Sequence, residues 1–327
     1  MVSSVVGVDF MTSRKNILSR ILSQYGISLA LLIEIILFSR LSPFFFTTEN
    51  ILNVTLQISI TAIIAAGMTF VILTAGIDLS VGALVALSGV LATSVLKLPI
   101  PLIYSFPLFL ATGILVGVFS GWLSAFFITR FNVTPFIVTL ALMSIWRGGA
   151  YLYTGGRPVW GLPHAFSMLG GGRVAGIPLP TLIMLAVYAA AYIVLQYTRF
   201  GRHVYAVGGN QEAARLAGIN TKRVLRQVYI LCGVLSALSG MLLASRMNSG
   251  QPNAGLMYEL DVIAAVVVGG ASLFGGRGSI VGTFVGAMLI GVSRNGLNLL
   301  NVNSYIQQII VGLVILVAVM LDQMRKR

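Results

Sequence analysis

Long apolar runs, broken only by short polar joints, set the pattern of this chain. Asn50 to Ile77 and Val174 to Thr198 contain no Asp, Glu, Lys or Arg. A hydrocarbon core about 30 Å thick is crossed by roughly 20 apolar helical residues, so each run suffices. Membrane barrels would instead show short apolar–polar dyads, and these are absent. Ten apolar stretches can be drawn: 25–41, 51–75, 79–96, 103–129, 133–153, 179–198, 227–246, 260–275, 279–294 and 304–321. The pattern predicts an all-α fold, a polytopic transmembrane helical bundle of about ten spans. The eighth and ninth stretches are short, and Gly269, Gly270, Gly275, Gly276 and Gly278 punctuate their junction. A broken or re-entrant pair is expected there, buried in protein or lining a cavity.

Glycine spacing predicts how the helices pack. Gly113, Gly117 and Gly121 recur every four residues, as do Gly282 and Gly286. Small residues at that spacing let helix backbones approach closely, and dispersion holds them because lipid supplies no hydrophobic drive between helices. GIDLSVGALVALSG (Gly76 to Gly89) faintly matches GGRGSIVGTFVGAMLIG (Gly275 to Gly291), as an internal repeat would.

Composition agrees with a membrane solvent. The chain is 57% hydrophobic and 9% charged, against roughly 25% charged in soluble domains. Its net charge of +13 does not imply nucleic acid, because the basic residues sit between and beside the apolar runs. Alternating ten spans puts both termini on one side, with Arg14, Lys15, Arg20, Arg130, Arg199, Arg202, Arg215, Lys222, Arg223, Arg226, Arg277, Arg325, Lys326 and Arg327. The other side receives Arg40, Lys97, Arg157, Arg173, Arg246 and Arg294, while Arg147 falls within the fifth span. That asymmetry predicts both termini in the cytoplasm. The expected organisation is a cytoplasmic tail (1–24), a transmembrane domain (25–321) with a cytoplasmic loop at 199–226, and a basic tail (322–327). The N-terminal stretch lacks a clean cleavage site and reads as a retained span, with Glu34 turned towards a neighbouring helix or the interface. The external segment Gly155 to Pro178 reads as an irregular lid or a short surface helix.

Catalytic chemistry has no visible seat. No G-x-x-x-x-G-K-[ST] cradles phosphates and no H-E-x-x-H holds a metal. His164 and His203 fall in opposite loops, and the single cysteine, Cys232, lies in an apolar run, where it reads as a small buried side chain. Coupling to protons or sodium usually leaves carboxylates deep in spans. Here Asp78, Glu259 and Asp261 sit near predicted span ends, at the cytoplasmic end of the second span and the external end of the eighth. An ion-coupled secondary sugar transporter is therefore the weaker alternative. The long internal loop contains Glu212-Ala213-Ala214 followed by Gly218, a short helix with a glycine stop. It suits either a surface connector or a face that enters another protein's groove.

Four ordered blocks carry a resemblance. TRFGRHVYAVGGNQEAARLAGIN (Thr198 to Asn220) resembles the coupling loop of ribose-type ABC permeases, the membrane subunits of bacterial monosaccharide importers. GMTFVILTAGIDLSVGALVALSG (Gly67 to Gly89), QPNAGLMYELDVIAAVVVGGASLFGGRGSIVGT (Gln251 to Thr283) and NGLNLLNVNSYIQQIIVG (Asn295 to Gly312) are similar to further family segments. The likeness runs from about Leu41 to the C-terminus. It implies a multi-pass protein of the bacterial inner membrane that forms a pathway with a second permease subunit, identical or related. It also implies a cytoplasmic ABC ATPase that binds the ATP and Mg, and a periplasmic sugar-binding protein. No cofactor, catalytic residue, metal ligand or nucleic-acid partner is expected for this chain.

Carried over residue by residue, Glu212, Ala213, Ala214, Gly218 and Ile219 belong to the helix that docks in the ATPase groove. Gly76, Asp78, Ser80 and Gly82 fall in the family motif near the cytoplasmic gate. Asp78 can serve there as a helix cap bonded to the amide of Ser80 or Val81, or as a gate or signalling residue. Glu259 and Asp261 can cap their helix or meet basic residues of the binding protein. A sugar path needs hydroxyls and amides, and the candidates are Asn53, Gln57, Thr61, Thr134, Asn295, Asn298, Tyr305 and Gln308.

Overall fold

The computed structural model describes residues 26–326. The expected cytoplasmic tail at 1–24 lies outside the described residues. Thirteen helices follow: α1 (26–41), α2 (Thr48–Leu73), α3 (Val81–Val95), α4 (Leu102–Phe131), α5 (Pro135–Thr154), α6 (His164–Gly171), α7 (Leu179–Tyr197), α8 (Arg199–Gly209), α9 (Gln211–Leu216), α10 (Thr221–Arg246), α11 (Tyr258–Val268), α12 (Ile280–Leu299) and α13 (Ser304–Lys326). A helix underlies each of the ten predicted stretches. Among the described residues six are long and apolar enough to cross a membrane: α2, α4, α5, α7, α10 and α12. The segment expected to be a lid contains α6 and a two-residue hairpin, β1 (Arg173–Val174) antiparallel to β2 (Ile177–Pro178). The hairpin turns through Ala175 and Gly176, both at positive φ, as a primed turn requires.

Helices α2 and α10 form the axis of the bundle, and both are mostly buried. Helix α10 packs along α2, α3 and α4. The glycine ladder lies on that seam. A Cβ on Gly113 would strike Met241, one on Gly117 would strike the Gly233 carbonyl and Ala237, and one on Gly121 would strike the Tyr229 backbone. Gly233 faces the Gly117 carbonyl in return. Gly282 and Gly286 likewise meet Gly269 and the Ala265 carbonyl between α12 and α11. Gly113 makes room for the Met241 side chain, and the other glycines are there because backbone touches backbone.

Two helices under predicted spans, α3 and α11, fall well short of crossing. At 1.5 Å per residue, α3 with 15 residues is about 22 Å long and α11 with 11 residues about 16 Å. Helix α3 runs beside the C-terminal half of α10: Val85 lies against Gly240, and the Ser88 hydroxyl reaches the Ala237 carbonyl at 3.5 Å. Its first turn is therefore level with the middle of α10. Helix α11 starts at the same level, because Gly255 and the Glu259 carboxylate lie against Gly82. The two N-termini meet and the helices diverge from there. The predicted eighth span ran to 275, whereas α11 ends at Val268. Gly270 takes φ +90°, and its amide and that of Ala271 close on the carbonyls of Val267 and Val266 at 2.9 and 3.1 Å. This double closure stops a helix at a glycine. The ninth stretch, drawn to 294, continues to Leu299, so Arg294 lies within α12.

Side-chain bridges complete the frame. Glu34 of α1 accepts a hydrogen bond from the Ser293 hydroxyl of α12, as expected of a carboxylate turned to a neighbour. Thr69 and Thr283 share a 2.8 Å bond between α2 and α12. Tyr188 of α7 donates to the Ala62 carbonyl of α2 at 3.0 Å.

Candidate coupling site

The loop 199–226 folds into two short helices and the start of α10. Helix α8 is amphipathic: Gly201, Val204, Val207 and Gly208 are buried while Arg199 and Arg202 are exposed. The Thr198 hydroxyl caps it by accepting from the Gly201 amide at 3.2 Å. Asn210 ends it and starts α9, its Oδ1 accepting from the Ala213 amide at 2.9 Å. Asn220 repeats that device for α10, accepting from Arg223 at 3.0 Å. Capping satisfies amides that the first turn leaves without partners.

Helix α9 stands almost entirely outside the bundle. Of its six residues only Ala214 is buried. Glu212, Ala213, Arg215, Leu216 and Gly218 are exposed, Leu216 at 76%. Glu212 and Arg215 form a two-pronged ion pair across one turn, with Nε to Oε2 at 3.0 Å. The Arg215 hydrogen bond holds the Glu212 carboxyl below its usual range. Gly218 at φ +84° closes the helix: its amide bonds the Arg215 carbonyl and the Ile219 amide bonds the Ala214 carbonyl, both at 3.0 Å. Ile219 is half-buried and packs against the core. The result is a rigid, single-turn knob, pinned at both ends and open on its outer face.

Helix α8, which leads into the knob, is fastened to the α2–α3 and α11–α12 connections. Gly208, at the end of α8, lies against the Leu73 carbonyl at the end of α2 and against the Gly276 amide in the α11–α12 connection. Gly276 donates to that same Leu73 carbonyl at 2.9 Å. Gly275, at φ +81°, touches the Gly208 carbonyl and Ala75. Tyr205 of α8 donates to the Gly278 carbonyl at 3.0 Å. Sequence reading missed Tyr205, Leu73, Gly208 and Gly276 as a unit. Their contacts run mainly through backbone atoms, which leave no side-chain signature.

The motif residues Gly76, Asp78, Ser80 and Gly82 line the climb from α2 to α3. Asp78, expected at the cytoplasmic end of the second span, is 2% exposed within that climb. Its Oδ1 accepts from the Ser80 amide at 2.9 Å and the Ser80 hydroxyl at 2.6 Å. Ser80, not Asp78, is the residue at the N-cap. Gly76 sits under the Tyr229 hydroxyl, which is buried without a hydrogen-bond partner among the described residues. Glu259 and Asp261, expected at an outer helix end, lie where the two half-helices meet. Asp261 is buried and paired with Arg294.

The path candidates fall into two groups. Asn53, Gln57 and Thr61 form one stripe of α2, with Asn53 and Gln57 exposed. Thr134, Tyr305 and Gln308 are also exposed, and none of these five exposed residues makes a side-chain hydrogen bond within the described residues. Asn295 exchanges amide bonds with Asn50 at 2.8 and 3.1 Å, joining α12 to α2. Asn298 accepts from Gln307 at 2.8 Å, joining α12 to α13.

Comparison with known proteins gives this geometry a context. The family model described as branched-chain amino acid transport system / permease component matches residues 50–319. The chain belongs to this permease family. It is a transport subunit rather than an enzyme, and a multi-pass membrane protein. The permease is 46% identical over 309 residues to the ribose import permease protein of Haemophilus influenzae, covering 93% of this chain and 94% of that one. It is 46% identical to the ribose import permease protein of Escherichia coli K12, over 91% and 93% of the two chains. The corresponding protein of Bacillus subtilis 168 is 45% identical, over 93% and 94%. No solved structure matches the permease.

Proposed function

We propose that the chain is the membrane permease of an ATP-binding-cassette importer that carries a monosaccharide of the ribose class. The observation that carries this reading is the likeness to three ribose import permeases over 91–93% of the chain, together with an exposed knob joined through α8 to both helix breaks. A separate cytoplasmic ATPase, holding the ATP and Mg, docks on Glu212, Ala213, Ala214, Gly218 and Ile219. A periplasmic binding protein delivers the sugar from the other side. Two permease subunits enclose the pathway. The chain crosses the inner membrane about ten times with both termini cytoplasmic, two of the crossings being completed by α3 and α11 with their adjoining extended segments. The tails 1–24 and 322–327 then flank the permease domain on the cytoplasmic side.

The path would be lined by Asn53, Gln57, Thr61, Thr134, Asn295, Asn298, Tyr305 and Gln308. The exposed members of that set suit it best, since polar groups facing lipid are costly. Gly76, Asp78, Ser80 and Gly82 would form the hinge of the cytoplasmic gate. ATP consumed by the docked ATPase moves α9 and α8, and Leu73 and Gly276 follow through their contacts with Gly208.

The test is uptake in proteoliposomes holding the permease and its ATPase, with ribose-loaded binding protein outside and ATP inside. Uptake should need ATP and survive an ionophore. Uptake that collapses with the ionophore at constant ATP would instead make this an ion-coupled transporter.

A further inference from the structure

Arg147 is a charged residue in the body of α5, and the importer reading above gave it no task. Its depth follows from packing. Thr139, one turn into α5, bonds the Ile77 carbonyl at 3.3 Å, and Gly149 lies beside Leu87. Arg147 is thus level with the first turns of α3, where the two half-helices meet. A charge at such depth is costly against lipid, so it is turned to protein or water and marks function by default.

One arm of Arg147 is occupied. Nη1 donates to the carbonyls of Pro252 and Ala254 at 3.0 and 2.7 Å, holding the 247–257 segment as it folds back into the bundle. Nε and Nη2 make no hydrogen bond within the described residues, and neither is sealed from the surface. The opposing charge is Glu259, five residues beyond the Ala254 that Arg147 holds, whose carboxylate rests against Gly82 at the start of α3. The two are not in contact. Ion pairs among the described residues are Glu212–Arg215 and Asp261–Arg294, so more than 4.0 Å separates the Arg147 nitrogens from the Glu259 oxygens. Exposed Asn253, Leu256 and Met257 lie on the segment that links them.

We propose that Arg147 and Glu259 form a binding station for a neutral polyol within the membrane. The guanidinium offers free donors and the carboxylate offers acceptors, across a gap too wide for each other. Adjacent sugar hydroxyls both donate and accept, so one sugar edge satisfies both groups. Asn253 adds an amide, and Leu256 and Met257 give apolar surface to the C–H face. The station carries no net charge, which matches an uncharged sugar and disfavours anionic or cationic cargo. This rests on the importer reading and deepens it.

Two measurements on the reconstituted full transporter test the station. In the first, Asn253→Cys is labelled with a thiol reagent; the native Cys232 is fully buried and stays silent. D-Ribose at about 10 mM should slow labelling about threefold or more, and Glu259→Gln should abolish that protection. In the second, Glu259→Gln, which leaves the Arg147 tether intact, should lower ribose moved per ATP about tenfold. Stimulation of the ATPase by loaded binding protein should persist. Arg147→Gln should do the same with added loss of thermal stability. Unprotected Asn253→Cys, or wild-type ribose per ATP in Glu259→Gln, overturns the station while leaving the importer intact. A wild-type complex whose ATPase ignores loaded binding protein would overturn the importer reading, and the station with it.

Discussion

Single residues decide how closely the central helices approach. At Gly117 the added atom would meet the Gly233 carbonyl and the Ala237 methyl, both on a helix backbone that has no room to retreat. Gly117→Val should therefore destabilise the permease by about 1–3 kcal/mol, the usual range for overpacking. Gly148, also helical, has nothing within 4 Å of a Cβ. Gly148→Ala should raise stability by about 0.5 kcal/mol through lower chain entropy. Thermal unfolding in mild detergent would show the two shifts with opposite signs. Gly117 was legible in the sequence through its spacing of four from Gly113 and Gly121, which marks close helix approach. The depth of Asp78, Glu259 and Asp261 was not. A hydropathy window averages over a short polar break, so residues at a half-helix start look like residues at the end of a span. Asn295 and Asn298 show the same limit: their amides bond other amides, a fact that composition does not carry.

At the level of elements, α8 ties α9 to the two breaks. Glu212→Lys with Gly218→Val would place like charge beside Arg215 and force a β-branched residue to φ +84°, a strain of about 1–3 kcal/mol. The double variant should lose uptake and ATPase co-purification, while the bundle keeps its melting temperature because α9 contributes one buried alanine. The Glu212 carboxyl is depressed by Arg215, so the sign of any pH effect is fixed. The ion pair is present above the ordinary carboxylate pKa of about 4.3 and fades only as pH falls through the lower folded value. Association with the ATPase should be flat between about pH 6 and 8, and should weaken with salt as exposed pairs do. Tyr205→Phe removes a single bond to the Gly278 carbonyl. It should leave binding-protein-stimulated ATPase activity near wild type but lower the sugar moved per ATP, measured in proteoliposomes. The short helix and its glycine stop were readable from Glu212 to Gly218. The junction at Leu73, Gly208 and Gly276 was not, since contacts across such sequence distances reside in peptide groups common to every residue.

For the molecule as a whole, the proposed topology makes a labelling prediction. Cys232 is the sole cysteine and is fully buried, so single substitutions can be read without removing it. Leu216→Cys should react with an impermeant thiol reagent only in inside-out vesicles, and Trp160→Cys only in intact cells; reaction of both from one side would refute α7 as a crossing and with it the ten-span topology. The six residues from Gln211 to Leu216 have a final consequence. Since nearly all of their surface is free and the bundle scarcely depends on them, choice of motor is separable from choice of cargo. Grafting this hexapeptide from a permease that serves a different ATPase should transfer allegiance to the foreign engine without altering which sugar is moved, a modularity by which one conduit could be rewired through a single turn of helix.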